Sequence, residues 1–199
     1  MDYVCATKAT ENCFLSLERL IFLGHCYLQD SEPLQQILTQ SSMPRLAHLA
    51  CEFDRQHFKQ TQQCLRLFAS LLPQLSTLAI KAFVFDDIDP VGSLSTCSNL
   101  KHLSIESYEA NIFDWAAGLA LKSLHMPSTT FKRREYRPAS IERLIAVANG
   151  LEETFRCERV VLHGARETME KESGVADLSS IEFSSRYHIP FEEFHGNYT

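Results

Sequence analysis

The stretch CSNLKHLSIES, residues 97–107, lies without a gap over MPRLAHLACEF at 43–53 and LPQLSTLAIKA at 72–82. All three carry Leu-x-x-Leu-x-apolar: Leu46, Leu49 and Cys51; Leu75, Leu78 and Ile80; Leu100, Leu103 and Ile105. Leu17, Leu20, Phe22 and Leu121, Leu124, Met126 bring the copies to five. With leucine at 25 of 199 positions, chance supplies about 1.4 such matches, so the phrase is a repeat. Two weaker copies follow at Cys157, Val160, Leu162 and at Leu178, Ile181, Phe183.

Taking the fourth position of each phrase as anchor gives residues 20, 49, 78, 103, 124, 160 and 181, with steps of 29, 29, 25, 21, 36 and 21. In a strand, side chains alternate between faces, so the fourth and sixth positions point the same way. The first leucine enters from the preceding turn and fills the same core. Each strand then needs a helix or irregular turn to cover that core from the other side.

The intervening segments fit that requirement. QHFKQTQQCLRLFASLL (56–72) carries Phe58, Leu65, Phe68 and Leu72 at roughly helical spacing. PASIERLIAVANGLEETF (138–155) places Ile141, Leu144, Ile145, Ala148, Leu151 and Phe155 on one stripe, with Pro138 at its start. SEPLQQILTQ (31–40) and IFDWAAGLA (112–120) are shorter pieces, and Pro44 and Pro73 are expected to stop the helices before them. A bundle of amphipathic helices is the competing architecture. LSTLAIKAFVF and CERVVLHG alternate every two residues, which favours strands.

The bulk properties bound the function. At 22.7 kDa, 45% hydrophobic and 22% charged, the chain can bury a sizeable core. A net charge of −6 argues against nucleic acid as partner, and no apolar run approaches the roughly 20 residues of a membrane helix. The N-terminal MDYVCATKATENCF lacks the basic head, apolar stretch and cleavage site of a secretion signal. The seven cysteines are odd in number and form no C-x-x-C pair, which points to buried free thiols in cytosol or nucleus.

Steps of this size and the phrase Cys97-Ser98-Asn99-Leu100 to Leu103 resemble the leucine-rich repeats, most closely the arrays of eukaryotic F-box proteins. The resemblance implies an α/β solenoid, a right-handed βα superhelix with parallel strands on the concave face and helices outside. About seven irregular repeats would span 17–185, after an N-terminal helical segment or partial cap at 1–16 and before a C-terminal tail or partial cap at 186–199. In that family the array is the substrate receptor of an SCF-type ubiquitin ligase. The Leu-Pro-x-Glu opening of an F-box is not seen, so ligase components would be reached only through a module outside the repeats. The Asn or Cys usual three residues past the sixth position is replaced by His25, Asp54, Phe83, Tyr108 and Thr129.

With the fourth and sixth positions inward, the third, fifth and seventh line the opposite face. The third-position column reads Arg19, His48, Thr77, His102, Ser123, Arg159, Ser180. The fifth reads Ile21, Ala50, Ala79, Ser104, His125, Val161, Glu182, and the seventh Leu23, Glu52, Lys81, Glu106, Pro127, His163, Ser184. Mostly small or polar, they suit a broad face that binds a protein. Arg19, His48, Glu52, Lys81, His102, Glu106, His125, Arg159 and His163 are the expected contact residues.

Other features compete for attention. His102 and His125 on neighbouring strands, with Glu106 nearby, are the one constellation that a metal ion or an enzyme could use. Lys132, Arg133, Arg134 and Arg137 form a basic run inside the longest step, as expected of a solvated loop; a nuclear-localisation patch, a phosphate contact or an acidic-partner site is the functional alternative. FDDIDP (85–90) has too few spaced oxygen ligands for calcium. There is no nucleophile elbow, phosphate-cradling glycine loop or His-Glu-x-x-His helix, and seven glycines are few for close cofactor approach. The expectation is a binding module with no cofactor and no catalytic residues.

Overall fold

A computed structural model describes residues 14–24, 42–53, 68–83, 94, 96–107, 116–127, 137–173 and 177–184. It is an α/β structure built on one seven-stranded parallel sheet. The strands are β1 (Arg19–Gly24), β2 (His48–Phe53), β3 (Thr77–Phe83), β4 (His102–Ser107), β6 (Ser123–Pro127), β8 (Val160–His163) and β9 (Glu182–Ser184). They lie side by side in chain order. A second, two-stranded sheet pairs β5 (Ala120–Leu121) with β7 (Arg156–Cys157).

The register is the one the repeated phrase dictates. Leu20, Leu49, Leu78, Leu103, Leu124 and Val160 are successive Cα partners. Phe22, Cys51, Ile80 and Ile105 form the next apolar row, as do Met126, Leu162 and Phe183 further along. From β2 to β8 the described members of these rows are buried. Phe14, Leu17 and Leu20 at the β1 edge, and Phe183 at the β9 edge, are only partly covered.

Energetics explain why the rows must be continuous. Fixing six backbone residues costs about 6–12 kcal/mol. Burying three side chains such as Leu75, Leu78 and Ile80 returns about 4–9 kcal/mol. One phrase by itself is therefore near break-even, and the sheet gains from each strand covering the next.

The turns before the strands repeat as well. The Leu17, Leu46, Leu75 and Leu100 N–H groups each donate to the carbonyl three residues back, on Phe14, Met43, Leu72 and Cys97. Met43, Leu72 and Cys97 are buried, so the repeat extends upstream to apolar-x-x-Leu-x-x-Leu-x-apolar. Glu18, Ala47, Ser76 and Lys101 each accept two N–H bonds from the following repeat, which fixes the strand starts in step. Two side-chain amides add to this: Gln74 Nε2 donates to the Met43 carbonyl at 2.7 Å and Asn99 Nδ2 to the Pro73 carbonyl at 2.9 Å.

The core lies between one sheet face and a second layer. Phe68, Leu71, Leu72, Leu94 and Ala116 from between the strands, helix α1 (Arg137–Ala148) and helix α2 (Arg166–Ser173) supply that layer. α1 packs on β7, β8 and α2, burying Ile141, Leu144 and Val147. Arg166 ties α2 to the last repeat: its guanidinium lies 5.0 Å from the Phe183 ring centroid and donates to the Leu178 carbonyl at 3.2 Å.

One expectation needs correcting. The apolar stripe does not run to residue 155. α1 stops at Ala148, because Gly150 adopts φ 69° and turns the chain out of the helix. The Gly150 N–H donates to Val147 and the Leu151 N–H to Ala146, a Schellman cap. Leu151 is consequently 73% exposed, while Phe155 is buried from beyond the helix. Pro73 sits inside a short 3-10 turn, Leu72–Gln74, and the helix it is expected to stop falls mostly on residues outside the described ones.

The segments 31–40 and 85–90, most of 56–72, and the basic run before Arg137 lie outside the described residues, as do 1–13 and 185–199.

Candidate functional site: a polar sheet face with a histidine–hydroxyl ladder

The alternate residues of the strands form the face opposite the core. One row crosses all seven strands: Ile21, Ala50, Ala79, Ser104, His125, Val161 and Glu182. Beside it runs Arg19, His48, Thr77, His102 and Ser123. The third row begins Leu23, Glu52, Lys81 and ends Pro127, His163, Ser184. It breaks in the middle, since the β3–β4 register shifts between Ile80 and Phe83, and Lys81 is not the partner of Glu106.

Within these rows histidines bond to hydroxyl groups on the next strand. His48 Nδ1 lies 3.0 Å from Thr77 Oγ1, and His102 Nδ1 lies 2.9 Å from Ser123 Oγ. Ser123 Oγ also meets His125 Nε2 at 3.1 Å, and His125 Nδ1 meets His163 Nε2 at 3.2 Å. The His125 and His163 rings stack, with centroids 5.4 Å apart and planes at 22°. His102, Ser123, His125 and His163 are thus one hydrogen-bonded chain across β4, β6 and β8.

That chain constrains its own protons. A neutral imidazole has one N–H and one bare nitrogen. If His125 Nδ1–H donates to His163, its Nε2 accepts from the Ser123 hydroxyl, whose oxygen then accepts from His102. If His163 donates instead, His125 Nε2–H donates to Ser123. The pair cannot be rearranged without the hydroxyl following.

The face is less open than its small residues suggest. Ala50 and Ala79 are fully buried, and Thr77, Ser104, Ser123 and Val161 are nearly so. His163, expected as a contact residue, is only 7% exposed; it supports His125 and offers a partner almost no surface. Accessible area comes from taller side chains: exposed Arg19, Arg159 and Glu182, and partly exposed His48, His102 and His125. Glu52, Lys81 and Glu106 are strand residues in β2, β3 and β4. Arg159 Nε donates to Glu182 Oε1 at 2.7 Å, closing the β8–β9 end with an exposed ion pair.

Electrostatics follow from this packing. Burial, then the positive charges of His163, Arg159 and His102, lower the His125 pKa from 6.5 to about 4, with Glu182 pulling the other way. His125 is therefore neutral at neutral pH. The ion pair holds Glu182 below and Arg159 above their ordinary values. Cys51, Cys97 and Cys157 are buried, and burial raises the Cys97 thiol to about 11 and that of Cys157 in the same direction. Thiols so protonated are poor nucleophiles.

His102 and His125 do come together, but over the Ser123 hydroxyl. Among the described residues no three His, Cys, Asp or Glu side chains group as metal ligands. No described helix is long and apolar enough to cross a membrane. Thr77 and Ser123, which hold the ladder, and Glu182, which holds the ion pair, stand outside the expected contact residues: the first two are neutral, and Glu182 is read from the sequence only as a member of its column. Their positions in the same rows are the signal that finds them.

Comparison with protein-family models, curated proteins and solved structures gives no match to this chain. Fold and site define an α/β protein with a parallel sheet in chain order and one polar, hydrogen-bonded sheet face.

Proposed function

We propose that the chain is a leucine-rich repeat solenoid whose polar, concave sheet face binds a protein partner. In its specific form the proposal makes it the substrate-recognition part of an F-box type ubiquitin-ligase receptor in cytosol or nucleus, non-enzymatic and without a cofactor. One observation carries the reading: seven strands in chain order place the same phrase in the same register, leaving one row of side chains continuous across the whole sheet. The ubiquitin link rests on the family resemblance.

Dimensions favour a macromolecule over a small ligand. Seven strands at about 4.8 Å spacing span about 29 Å, and six residues rise about 17 Å, so the face offers about 500 Å². A standard protein interface takes about 800 Å² per partner. A bound protein would cover the face and extend onto its flanks.

The second reading is a stand-alone scaffold or inhibitor unrelated to ubiquitin, for which the same polar face would serve. Affinity capture from cell extract, read by mass spectrometry, separates the two. The probes are the intact chain and an Arg19→Ala, Arg159→Ala, Glu182→Ala variant confirmed as folded. A partner lost with the variant supports the face. Recovery of the ubiquitin-ligase adaptor by the full-length gene product supports the receptor form, and a partner without the adaptor supports the scaffold. Equal recovery by both probes contradicts the proposal.

A further inference from the structure

The contact between His125 Nδ1 and His163 Nε2 sets a limit on the protons the two rings can share. With both rings neutral, one N–H lies between two nitrogens 3.2 Å apart. With one extra proton the contact survives, since one ring still presents a bare nitrogen to the other's N–H. With two extra protons both facing nitrogens carry hydrogen, and two cations stand with centroids 5.4 Å apart. No hydrogen bond is then available, and like charges at that distance repel.

The surroundings say where His125 would go. On β4 it faces His102, on β6 Ser123, on β8 His163 with Arg159 just before that strand, and on β9 Glu182. Three of these groups disfavour a cation at His125. Among the described residues it is the Glu182 carboxylate that favours one; it is exposed and accepts from Arg159 Nε at 2.7 Å. His163 is buried, so the ring free to swing is the partly exposed His125.

We propose that the His125–His163 contact is an acid-opened latch on the polar face: it holds while the two rings share at most one extra proton, and it opens when both are protonated, turning His125 from His163 towards Glu182. Opening breaks the stack between β6 and β8, frees Ser123 from one of its two imidazoles, and makes His125 compete with Arg159 for Glu182. The surface over β6, β8 and β9 changes in shape and charge at once. Release of a bound protein by this change rests on the proposed function; the ring chemistry does not.

The test uses the intact, 15N-labelled chain alone. Long-range 1H–15N spectra of the histidine rings are followed from neutral pH to below 4, with backbone amide spectra recorded alongside to separate opening from unfolding. The expected result is a His125 ring that stays neutral until near pH 4 and then becomes imidazolium, while the His163 ring signals shift with it. His163→Gln keeps an amide in the contact but removes the second charge, so His125 should titrate at higher pH. Arg159→Ala, at an exposed site, should shift it the same way by removing a repulsive charge and freeing Glu182. A His125 that titrates near 6.5 in the unaltered chain overturns the latch. So does a titration unmoved by both variants, or global unfolding before His125 protonates. Partner release at acid pH with His125 still neutral also counts against it, whereas an opened latch with binding unchanged counts against the proposed function instead.

Discussion

Leu78 and Leu103 are Cα partners across β3 and β4, both fully buried, although 25 residues separate them. Leu49 stands in the same relation to Leu78 over a step of 29. Steps of different length deliver the fourth position to the same place because the phrase sets the register and the connecting segments absorb the difference. Truncating either leucine leaves a cavity against both neighbouring repeats. Leu78→Ala and Leu103→Ala should each cost about 2–5 kcal/mol in urea unfolding. A loss below about 1 kcal/mol at both sites would mean that the register is wrong.

Ser123 bears on the ladder more than its size suggests. Its buried hydroxyl meets two imidazoles, so Ser123→Ala removes a hydrogen bond from His102 Nδ1 and another from His125 Nε2. The expected loss is about 1–3 kcal/mol. Thermal unfolding measures it, and the ring signals of both histidines should move together in the variant.

Stability should fall as the solution is acidified, with a defined sign. His125 has its folded pKa depressed from 6.5 to about 4, so between those values the unfolded chain binds more protons than the folded one. This residue's contribution is fully present above 6.5, declines through the window and is lost below about 4. After allowance for the ring's partial exposure the change is on the order of 2 kcal/mol. Urea titrations across this range should show it, and His125→Gln should remove that part of the slope.

Gly150 ends α1 with φ 69°, and a Cβ built there would meet nothing within 4 Å. The cost of Gly150→Ala is therefore backbone strain alone, about 1 kcal/mol. Gly150→Asn should cost less, because asparagine tolerates the left-handed region. Equal melting temperatures for wild type and Gly150→Ala would refute the cap.

Much of the fold was legible because a parallel sheet in chain order repeats its apolar rows at fixed offsets. Leu49, Leu78, Leu103 and Leu124 could be aligned by eye. The end of α1 was misread because Leu151 keeps the apolar spacing, although Asn149-Gly150 carries the stop signal. The pair of short strands β5 and β7 falls on the first positions of two phrases, Leu121 and Cys157, where a turn is expected and not a strand. Reading columns straight across strands found His102 beside Ser123. It missed the diagonal contacts: His125 is the Cα partner of Val161 but touches His163, and Arg159 reaches past Val161 to Glu182. Long side chains on one sheet face meet diagonal neighbours as readily as direct ones. Burial of Ala50 and Ala79 was not legible, because exposure of a small residue depends on the height of those around it.

The central claim is that the polar sheet face is where a protein partner binds. The most direct measurement is calorimetric affinity for the partner recovered by capture, across single substitutions on two surfaces. Arg19→Ala and Arg159→Ala alter exposed positions on the face; Glu142→Ala and Glu167→Ala alter exposed positions on α1 and α2. The account predicts affinity reduced about tenfold or more, about 1.4 kcal/mol, by the face substitutions at unchanged melting temperature. The helix substitutions should change little. Loss of affinity with the helix variants, and none with the face variants, would contradict it.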